Sequence, residues 1–303
     1  MMETLARVVF PAMGNTVDLT VIGLPQGIDL AQRRIAELES RWSRFINSSD
    51  ISRLNRADGR PTPVHADTVM LVRYLVAAQS LTDGAFDPTL APVLNELGYF
   101  ASRTMRERQC QLSEFATAGC TLEGTTIDDR FCAVTLPSGA TLDPGGLGKG
   151  LAADIVTAEL MALGASGTCL SIGGDIRCAG VGPIDDHWVV DVADPTGARS
   201  SLGQIRLRDG AVATSSVHAK RWTHEGADYH HMIDPTRRTP VTVGHDTIVQ
   251  STVIAAEAVW AEVFATVTLV RQRLTTAEEF ASLVVHADGR TEANNRWSAF
   301  VHE

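Results

Sequence analysis

The strongest local signal for chemistry is a glycine-rich segment that contains a lysine. Four of the six residues at 145–150 are glycine, and they surround Lys149 between a predicted strand and a predicted helix. Such glycines let backbone N–H groups at a helix N-terminus approach an anionic group such as a phosphate. A plain strand-to-helix turn uses glycine in the same way, so both interpretations stay open. Only Lys149 and Lys220 are lysine among the 26 basic residues, which suggests a role for Lys149 unless it survives by chance.

Familiar nucleotide-binding and hydrolase motifs do not fit the chain. A Walker A motif needs glycine at position 143 and Ser or Thr at position 150, where Asp143 and Gly150 stand. The dinucleotide fingerprint GxGxxG fails because the spacing from Gly146 reads GLGKG. HEGAD at 224–228 lacks the second histidine of a zinc protease, and Ser171 lacks the first glycine of a nucleophile elbow. Zinc proteolysis and serine hydrolysis are therefore set aside.

A carboxylate and a hydroxyl one helical turn apart form the second candidate. Glu262 and Thr266 lie in VWAEVFATV, which predicts a helix, and the four-residue spacing places both on one face. They are hard oxygen ligands of the kind that Mg²⁺ takes together with phosphate oxygens of a substrate. A helix pair without a ligand remains the alternative on this pattern alone.

Histidines and cysteines give weaker signals. His231 lies in HHMIDP at 230–235, and by itself it is interpreted as a hydrogen-bonded structural residue. The five cysteines are widely scattered and never form a CxxC pair, which disfavours a disulfide framework and a zinc site. We therefore expect most of them to be buried thiols.

The N-terminal half is predicted to combine two strands with helices. Apolar residues recur at helical spacing from Ile28 to Phe45, behind a capping box of Asp29 and Gln32. A second helix is predicted behind a cap at Asp67, running to about Ser80. Residues 46–66, between these helices, are rich in Ser, Asn, Asp, Gly and Pro and predict a long surface segment. The strands are predicted at 8–10 and 16–22.

The C-terminal half is predicted to be richer in strands. The glycine-rich segment leads into a helix at 151–165, and the strand TCLSIGGDI follows it. Glu262 and Thr266 lie on a helix that ends near Val270. Further strands are predicted at 187–192, 201–208, 211–214, 228–233, 247–255, 282–287 and 297–301. These elements predict an α+β fold with mixed, largely antiparallel sheets and packed helices.

Composition and charge narrow the range of partners. The chain of 303 residues is 44% hydrophobic and carries a net charge of −10, without a basic run longer than a pair of arginines, so we expect no nucleic-acid partner. No apolar run reaches membrane-spanning length, so we expect no membrane insertion. The first twenty residues lack the features of a signal peptide, which predicts a cytoplasmic location.

Seven segments, taken together and in this order, resemble motifs of the ApbE family, the FAD:protein FMN transferases. The resemblance covers residues 12–270. It rests on AMGNT around Met13, SDISRLNR at 49–56, DGAFDPT at 83–89, LDPGGLGKGLAAD at 142–154, SIGGDI at 171–176, HHMIDP at 230–235 and AEVFAT at 261–266. It implies a single ApbE-like flavin transferase domain over 1–303, or two subdomains with the active site between them.

The resemblance also implies a reaction and its residues. An ApbE enzyme uses Mg²⁺ to split FAD, joins the FMN half through its phosphate to a Ser or Thr hydroxyl of a partner protein, and releases AMP. Its targets resemble flavin-carrying subunits of membrane redox complexes. The implied catalytic residues are Asp143, His231 and Lys149, with Lys149 supplying positive charge and Asp143 or His231 accepting the hydroxyl proton. FAD would be bound by Met13, Ala85, Phe86, Asp87, Asp143, Lys149 and Ile233. Mg²⁺ would be bound by Glu262, Thr266 and the backbone near Gly146.

Two places depart most from the family pattern, and Pro144 and Asn15 are smaller deviations. Glu262 stands where the family usually has Asp, which predicts weaker metal binding. Arg237 and Arg238 replace a Thr-Gly pair, so a position suited to positive φ lacks glycine and a different turn is expected. The two guanidiniums would grip a phosphate or an acidic partner, or form a solvated pair. An Mg²⁺-dependent FAD pyrophosphatase and a non-catalytic FAD-binding homologue remain alternatives.

Overall fold

Helices and short strands alternate along the computed structural model, which describes residues 4–102 and 104–302. Its helices are α1 (Gly27–Trp42), α2 (Asp50–Asn55), α3 (Ala66–Leu81), α4 (Ala91–Glu96), α5 (Gly148–Ala162) and α6 (Ala258–Arg271). Its strands are β1 (Leu5–Ala12), β2 (Asn15–Ile22), β3 (Thr62–Pro63), β4 (Thr126–Asp128), β5 (Ala133–Thr135), β6 (Gly167–Ile172), β7 (Asp175–Gly180), β8 (Trp188–Val192), β9 (Gly203–Leu207), β10 (Gly210–Ser216), β11 (Arg221–His224), β12 (Ala227–His230), β13 (Ile233–Asp234), β14 (Thr239–Pro240), β15 (Ile248–Ala255), β16 (Ala281–His286), β17 (Thr291–Ala293) and β18 (Val301–His302). Pro144–Gly146 and Trp297–Ala299 form 3-10 turns.

Within the described residues, every pair of neighbouring strands is antiparallel. The largest sheet has the order β1-β2-β6-β7-β10-β15-β16-β17. Smaller sheets are β3-β5-β4, β18-β9-β8, β11-β12 and β13-β14. The architecture is therefore α+β with antiparallel sheets, as the sequence predicts.

The chain divides into two compact units. Unit 1 contains the residues up to Ala36, Lys149–His218 and the residues from Thr242 onward. Unit 2 contains Glu37–Gly148 and Ala219–Val241. The large sheet and α6 belong to unit 1, whereas α2, α3 and α4 belong to unit 2. Whether these units amount to one domain or two subdomains stays a prediction.

The core of unit 1 forms around β15. All eight residues of Ile248–Ala255 are buried, as expected for a central strand that is covered on both faces. β15 lies between β10 and β16 in the large sheet, and α6 packs against β10 and β15. Ala258, Val259, Ala261 and Val263 are fully buried on α6. The helix that carries Glu262 and Thr266 is therefore fixed on the most buried part of the sheet.

In unit 2, the prediction of a long surface segment over 46–66 is wrong in its middle part. Those residues contain α2, in which Ile51 and Leu54 are at most 1% exposed. The helix begins behind Ser49, whose hydroxyl accepts from the N–H of Ser52 at 3.0 Å. Asn55, which ends the helix, both donates to and accepts from the backbone of Leu142. The polar residues that suggest a loop are therefore cap and core hydrogen-bonding residues.

Other predicted elements differ at their ends. α3 begins at Ala66, one residue before Asp67, with His65 as its N-cap. The strand predicted at 297–301 is wrong over most of its length, because Trp297–Ala299 form a 3-10 turn before β18. No described helix combines the length and the apolar character that crossing a bilayer requires.

Candidate active site

In unit 1, Lys149 lies in a buried cluster with two carboxylates. It is the second residue of α5, and its Nζ lies 2.7 Å from Oδ2 of Asp175. The same ammonium donates to Oε1 of Glu262. The side chains of Lys149, Asp175 and Glu262 are only 12%, 6% and 4% exposed. One ammonium against two carboxylates leaves a formal charge of −1, and a buried negative charge favours a cation or a proton.

The pKa values of Lys149 and Glu262 reflect this burial. Burial raises the pKa of Glu262 to about 7, while the Lys149 ammonium opposes the shift and Asp175 adds to it. Burial by itself lowers the pKa of Lys149, but the charges of Asp175 and Glu262 outweigh it and raise that pKa. Lys149 is therefore an ammonium at neutral pH, and Glu262 can take up a proton near neutral pH.

Glu262 also holds the start of α5. Its Oε2 accepts from the backbone N–H of Gly150 at 2.8 Å. A Cβ at position 150 would lie 2.4 Å from the carbonyl oxygen of Ala258, so only glycine permits this approach of α5 to α6. Asp154, one turn further along α5, accepts from the N–H groups of Ala258 and Val259 at 2.8 and 2.9 Å. Its carboxylate thereby caps the N-terminus of α6.

Thr266 lies one turn after Glu262 on α6, as the sequence predicts. Its Oγ1 lies 3.2 Å from the hydroxyl oxygen of Ser215 on β10. Thr266 is partly exposed, whereas Glu262 is buried. The pair is therefore not a solvated helix surface pair, because both side chains have defined partners inside unit 1.

Met13 lies in the turn between β1 and β2, also in unit 1. It adopts a positive φ of 51°, and its carbonyl oxygen accepts from Nδ2 of Asn15 at 2.8 Å. Asn15 packs against Gly173, where a Cβ would lie 2.7 Å from its side chain. Gly173 belongs to the turn that precedes Asp175. The structure therefore brings the AMGNT and SIGGDI motifs together at the same end of the neighbouring strands β2 and β6.

In unit 2, Asp143 is held by both of its carboxylate oxygens. Oδ1 accepts from the N–H of Gly145 at 2.9 Å and caps the 3-10 turn. Oδ2 lies 3.1 Å from Nε of Arg44, whose side chain is only 2% exposed. Arg44 also donates to Asn95 and to the carbonyl oxygen of Tyr99. Asp143 is therefore a fixed carboxylate with a buried counterion, which suits a binding role better than proton transfer.

The DGAFDPT segment packs beside the LDPGG segment in unit 2. The N–H of Asp143 donates to the carbonyl oxygen of Pro88 at 2.7 Å. Phe86 is 3% exposed, and a Cβ at Gly146 would lie 2.8 Å from its ring. Oδ1 of Asp87 accepts from the backbone and the hydroxyl of Thr89 at 2.8 and 2.7 Å. Of the predicted site residues, unit 2 thus brings together Ala85, Phe86, Asp87, Asp143 and Gly146.

His231 and Ile233 have different surroundings in unit 2. Nδ1 of His231 lies 3.2 Å from the carbonyl oxygen of Ala219. A carbonyl oxygen only accepts, so Nδ1 carries the proton in the neutral ring and the lone pair is on Nε2. Ile233 is 5% exposed, and its side chain packs in an apolar cluster with Leu90, Val93, Leu94 and Ala118. The Ile233 side chain is therefore a core residue.

The Arg237-Arg238 turn joins β13 to β14. Arg238 adopts a φ of 57°, so the left-handed conformation persists although glycine is absent. Its N–H donates to the carbonyl oxygen of Asp234 at 2.7 Å. Its guanidinium covers Gly119, where a Cβ would lie 3.2 Å from Nη2. Arg237 is exposed, with Nε 3.7 Å from Asp234. Both arginines are thus exposed, and Arg238 differs only in that its guanidinium lies over Gly119.

The sequence alone did not identify two charged residues that pair with predicted site residues: Asp175, the partner of Lys149, and Arg44, the partner of Asp143. Asp175 follows the two glycines of the SIGGDI motif, and an acidic residue directly after such a turn was a usable signal. No sequence signal pointed to Arg44, because an arginine beside Phe45 on a predicted helix is normally exposed. The metal set of Gly146, Glu262 and Thr266 stays a prediction.

Comparisons with known proteins agree with the fold and the motifs. A model of the ApbE family matches residues 13–287. The FAD:protein FMN transferase of Vibrio cholerae is 26% identical over 270 residues, which cover 84% of this chain and 78% of that protein. The enzyme of the same name from Haemophilus influenzae is 26% identical over 216 residues, covering 68% of this chain and 62% of its own.

Solved structures show the same fold. The crystal structure of the ApbE protein of Thermotoga maritima has a TM-score of 0.83 at 24% identity, covering 99% of this chain and all of the other. Flavin transferase ApbE from Vibrio cholerae has a TM-score of 0.79 at 23% identity, covering 99% and 100%. The α+β fold class is confirmed. Because the family match spans most of the chain and follows the order of the motifs, this protein belongs to the ApbE family.

Proposed function

We propose that this protein transfers the FMN half of FAD to a Ser or Thr hydroxyl of a target protein, with Mg²⁺, and releases AMP. The relatives named FAD:protein FMN transferase support the reaction class. The observation that carries the proposal is the buried cluster of Lys149, Asp175 and Glu262 at the glycine-rich start of α5. A fixed ammonium and helix N-terminal N–H groups are what a diphosphate requires.

The donor set around this cluster fits a magnesium ion. Glu262 and Asp175 offer carboxylate oxygens, which keep a lone pair beside each hydrogen bond they accept, and Thr266 offers a hydroxyl oxygen; all are hard ligands. The formal charge of −1 on the ionised cluster adds an electrostatic reason for a cation. When bound, Mg²⁺ neutralises charge that develops on the phosphoryl oxygens. Glu262 and Thr266, with the backbone of Gly146, are proposed to hold it.

The chain's own residues bind and orient the substrate. In unit 1, Lys149 is proposed to hold the diphosphate while Met13 contacts FAD. In unit 2, Ala85, Phe86, Asp87, Asp143 and Ile233 are proposed to contact FAD, with Ile233 acting through its backbone. Lys149 has three N–H donors, and Asp175 and Glu262 take two of them. Positioning and electrostatics account for most of the catalysis in such phosphoryl-type transfers.

His231 is proposed as the base that accepts the acceptor hydroxyl's proton. The hydrogen bond from Nδ1 to Ala219 gives the neutral ring its basic nitrogen at Nε2. Asp143 is the weaker candidate, because Arg44 and the N–H of Gly145 occupy its two oxygens. Asp143 is therefore proposed to bind FAD and His231 to take the proton.

The test is to incubate the protein with FAD, MgCl₂ and a cell extract of the source organism. We expect a flavin-fluorescent band that survives denaturing electrophoresis, a mass increase of one FMN on a Ser or Thr peptide, and AMP in the filtrate. FMN and AMP without an adduct would indicate a pyrophosphatase. FAD binding without AMP in any condition would indicate the non-catalytic homologue and contradict the proposal.

Thr266→Val is the variant that tests the metal assignment with least damage to the fold. It replaces the hydroxyl with a methyl group of similar size, so we expect AMP release to fall by at least tenfold, which corresponds to about 1.4 kcal/mol in the barrier. Thr268→Val is the matched control on α6, because its buried hydroxyl has no partner among the described residues. Equal AMP release by the two variants would contradict the role of Thr266.

The cytoplasmic location that the sequence suggests stays a prediction.

A further inference from the structure

Two cysteines face each other on neighbouring strands of the large sheet. Cys169 on β6 pairs directly with Cys178 on β7, and their Sγ atoms lie 3.5 Å apart. The turn at 173–174 joins these two strands. We infer that Cys169 and Cys178 are an oxidation site that closes to an intrachain disulfide when the protein meets a low-molecular-weight disulfide such as glutathione disulfide.

The direct pairing of Cys169 with Cys178 suits the geometry of a disulfide. Directly opposed residues of an antiparallel pair have Cα atoms about 4.5–5.5 Å apart. Disulfides accept Cα separations of about 4.4–6.8 Å and need the sulfurs at about 2.05 Å. The sulfurs must therefore approach by about 1.5 Å from 3.5 Å, which rotation about the two Cα–Cβ bonds provides. The strands keep their register.

The surroundings of the two thiols differ, and this difference sets the order of events. Cys178 is 0% exposed in an apolar cluster of unit 1, and Cys169 packs against that cluster while remaining partly exposed. The contact with Cys169 and burial both raise the pKa of the Cys178 thiol. Cys169 is therefore the thiol that meets the oxidant, and Cys178 is the resolving partner.

The chemistry is a pair of thiol–disulfide exchanges. The Cys169 thiolate attacks one sulfur of glutathione disulfide, forming a mixed disulfide and releasing one glutathione thiolate. Cys178 then loses its proton to that thiolate and attacks the sulfur of Cys169, which releases the second glutathione. Two protein thiols are oxidised and one glutathione disulfide is reduced to two glutathione molecules.

Closure would tie β7 to β6 close to the proposed active site. β7 begins at Asp175, the partner of Lys149, three residues before Cys178. The crosslink encloses the turn at 173–174 and removes the freedom of this hairpin to open. We therefore expect amide exchange in β6 and β7 to slow on oxidation, whereas β11 and β12, in unit 2, should exchange unchanged.

The experiment treats the folded, reduced protein with glutathione disulfide, removes that reagent, unfolds the protein in urea with N-ethylmaleimide to block every remaining thiol, and measures the intact mass. We expect two fewer maleimide groups than on the reduced protein, and a loss of about 2 Da for the two hydrogens removed. Trypsin cleaves after Arg177, so a crosslink must join two peptides. Recovery of the Cys169–Cys178 linked pair, reversed by dithiothreitol, would support the proposal.

Two variants separate the steps. Cys178→Ala should retain a stable glutathione adduct on Cys169, whereas Cys169→Ala should leave Cys178 unmodified in the folded protein. Cys132, partly exposed in unit 2, reports general oxidation in the same sample. Full maleimide uptake by both cysteines of the wild-type protein would overturn the proposal. So would a linked pair that forms only when glutathione disulfide is added to the protein unfolded in urea. The wild-type result decides even if a variant fails to fold.

Discussion

Glu262→Gln tests the buried charge cluster with a change of a single atom. Both carboxylate oxygens of Glu262 accept hydrogen bonds, one from the Lys149 ammonium and one from the N–H of Gly150 at 2.8 Å. Glutamine has one acceptor oxygen and one donor NH₂ group. Whichever way the amide is turned, one of the two donors must face another donor.

The cost can be bounded from these contacts. A hydrogen bond to a charged group contributes about 1.5–3 kcal/mol. Removing one partner of a buried ion pair costs about 3–5 kcal/mol. Two facts reduce the second cost: Lys149 keeps Asp175 at 2.7 Å, and burial raises the pKa of Glu262 to about 7, so part of the protein already carries no charge there at neutral pH. We therefore expect the free energy of unfolding to fall by about 2–3 kcal/mol.

Urea unfolding followed by circular dichroism measures this change. Glu257→Gln is the matched control, because Glu257 is an exposed residue at the N-cap of α6 without a side-chain capping bond. That variant should change the free energy of unfolding by less than about 0.5 kcal/mol. If the two glutamine variants unfold at the same urea concentration, the cluster does not stabilise the fold and the reasoning is refuted.

Glu262→Asp separates the contribution of side-chain length at this position from that of the negative charge. The shorter side chain withdraws its carboxylate by about 1.5 Å, which moves the Gly150 contact of 2.8 Å beyond hydrogen-bond distance. The negative charge near Lys149 remains. A loss of about 1 kcal/mol is therefore expected, smaller than that of the glutamine variant. A larger loss than with glutamine would show that length, not charge, is what this position supplies.

Three further predictions concern α5 and α6. Burial raises the pKa of Asp154 from 3.8 to about 6, so the folded state keeps the Asp154 proton to a higher pH than the unfolded state does. The free energy of unfolding should therefore fall as the pH rises from 3.8 to about 6. Asp154→Asn should flatten that part of the unfolding free energy against pH, relative to the wild-type curve. Gly150→Ala places a Cβ 2.4 Å from the Ala258 carbonyl oxygen, and urea unfolding should show a loss of about 1–3 kcal/mol. Thr268→Val removes a buried hydroxyl that has no partner in the described part of the chain, and should raise the thermal unfolding midpoint.

The sequence predicted those features that short-range patterns determine. The run of mostly β-branched residues in β15 and the helical spacing in α6 are local properties, and both elements are confirmed close to their predicted bounds. The prediction for α2 is wrong because polar composition does not distinguish a loop from a helix whose polar residues are used inside. Ser49 caps α2, and Asn55 bonds the backbone of Leu142, 87 residues later.

The residues of the candidate site could be predicted from the sequence, but the hydrogen bonds and ion pairs that connect them could not. Lys149 stands out locally, yet its contact with Glu262 joins residues 113 positions apart. A pattern of carboxylate and hydroxyl on one helix indicates a ligand site, but it cannot show that both Glu262 oxygens already have donors. The burial of Arg44 likewise depends on tertiary contacts with Asn95 and Tyr99, which no spacing rule encodes.

The same network gives a physical reason for lysine at this position in a chain whose other basic residues, apart from Lys220, are all arginine. An ammonium is a compact charge with three donors that point in different directions, whereas a guanidinium is a planar fork suited to one carboxylate. Lys149 must serve Asp175 on β7 and Glu262 on α6 at once, from a position where only 12% of its side chain is exposed. A third donor direction then remains for an anionic substrate without breaking either ion pair. Lysine meets these three demands at position 149, and arginine's larger planar group does not.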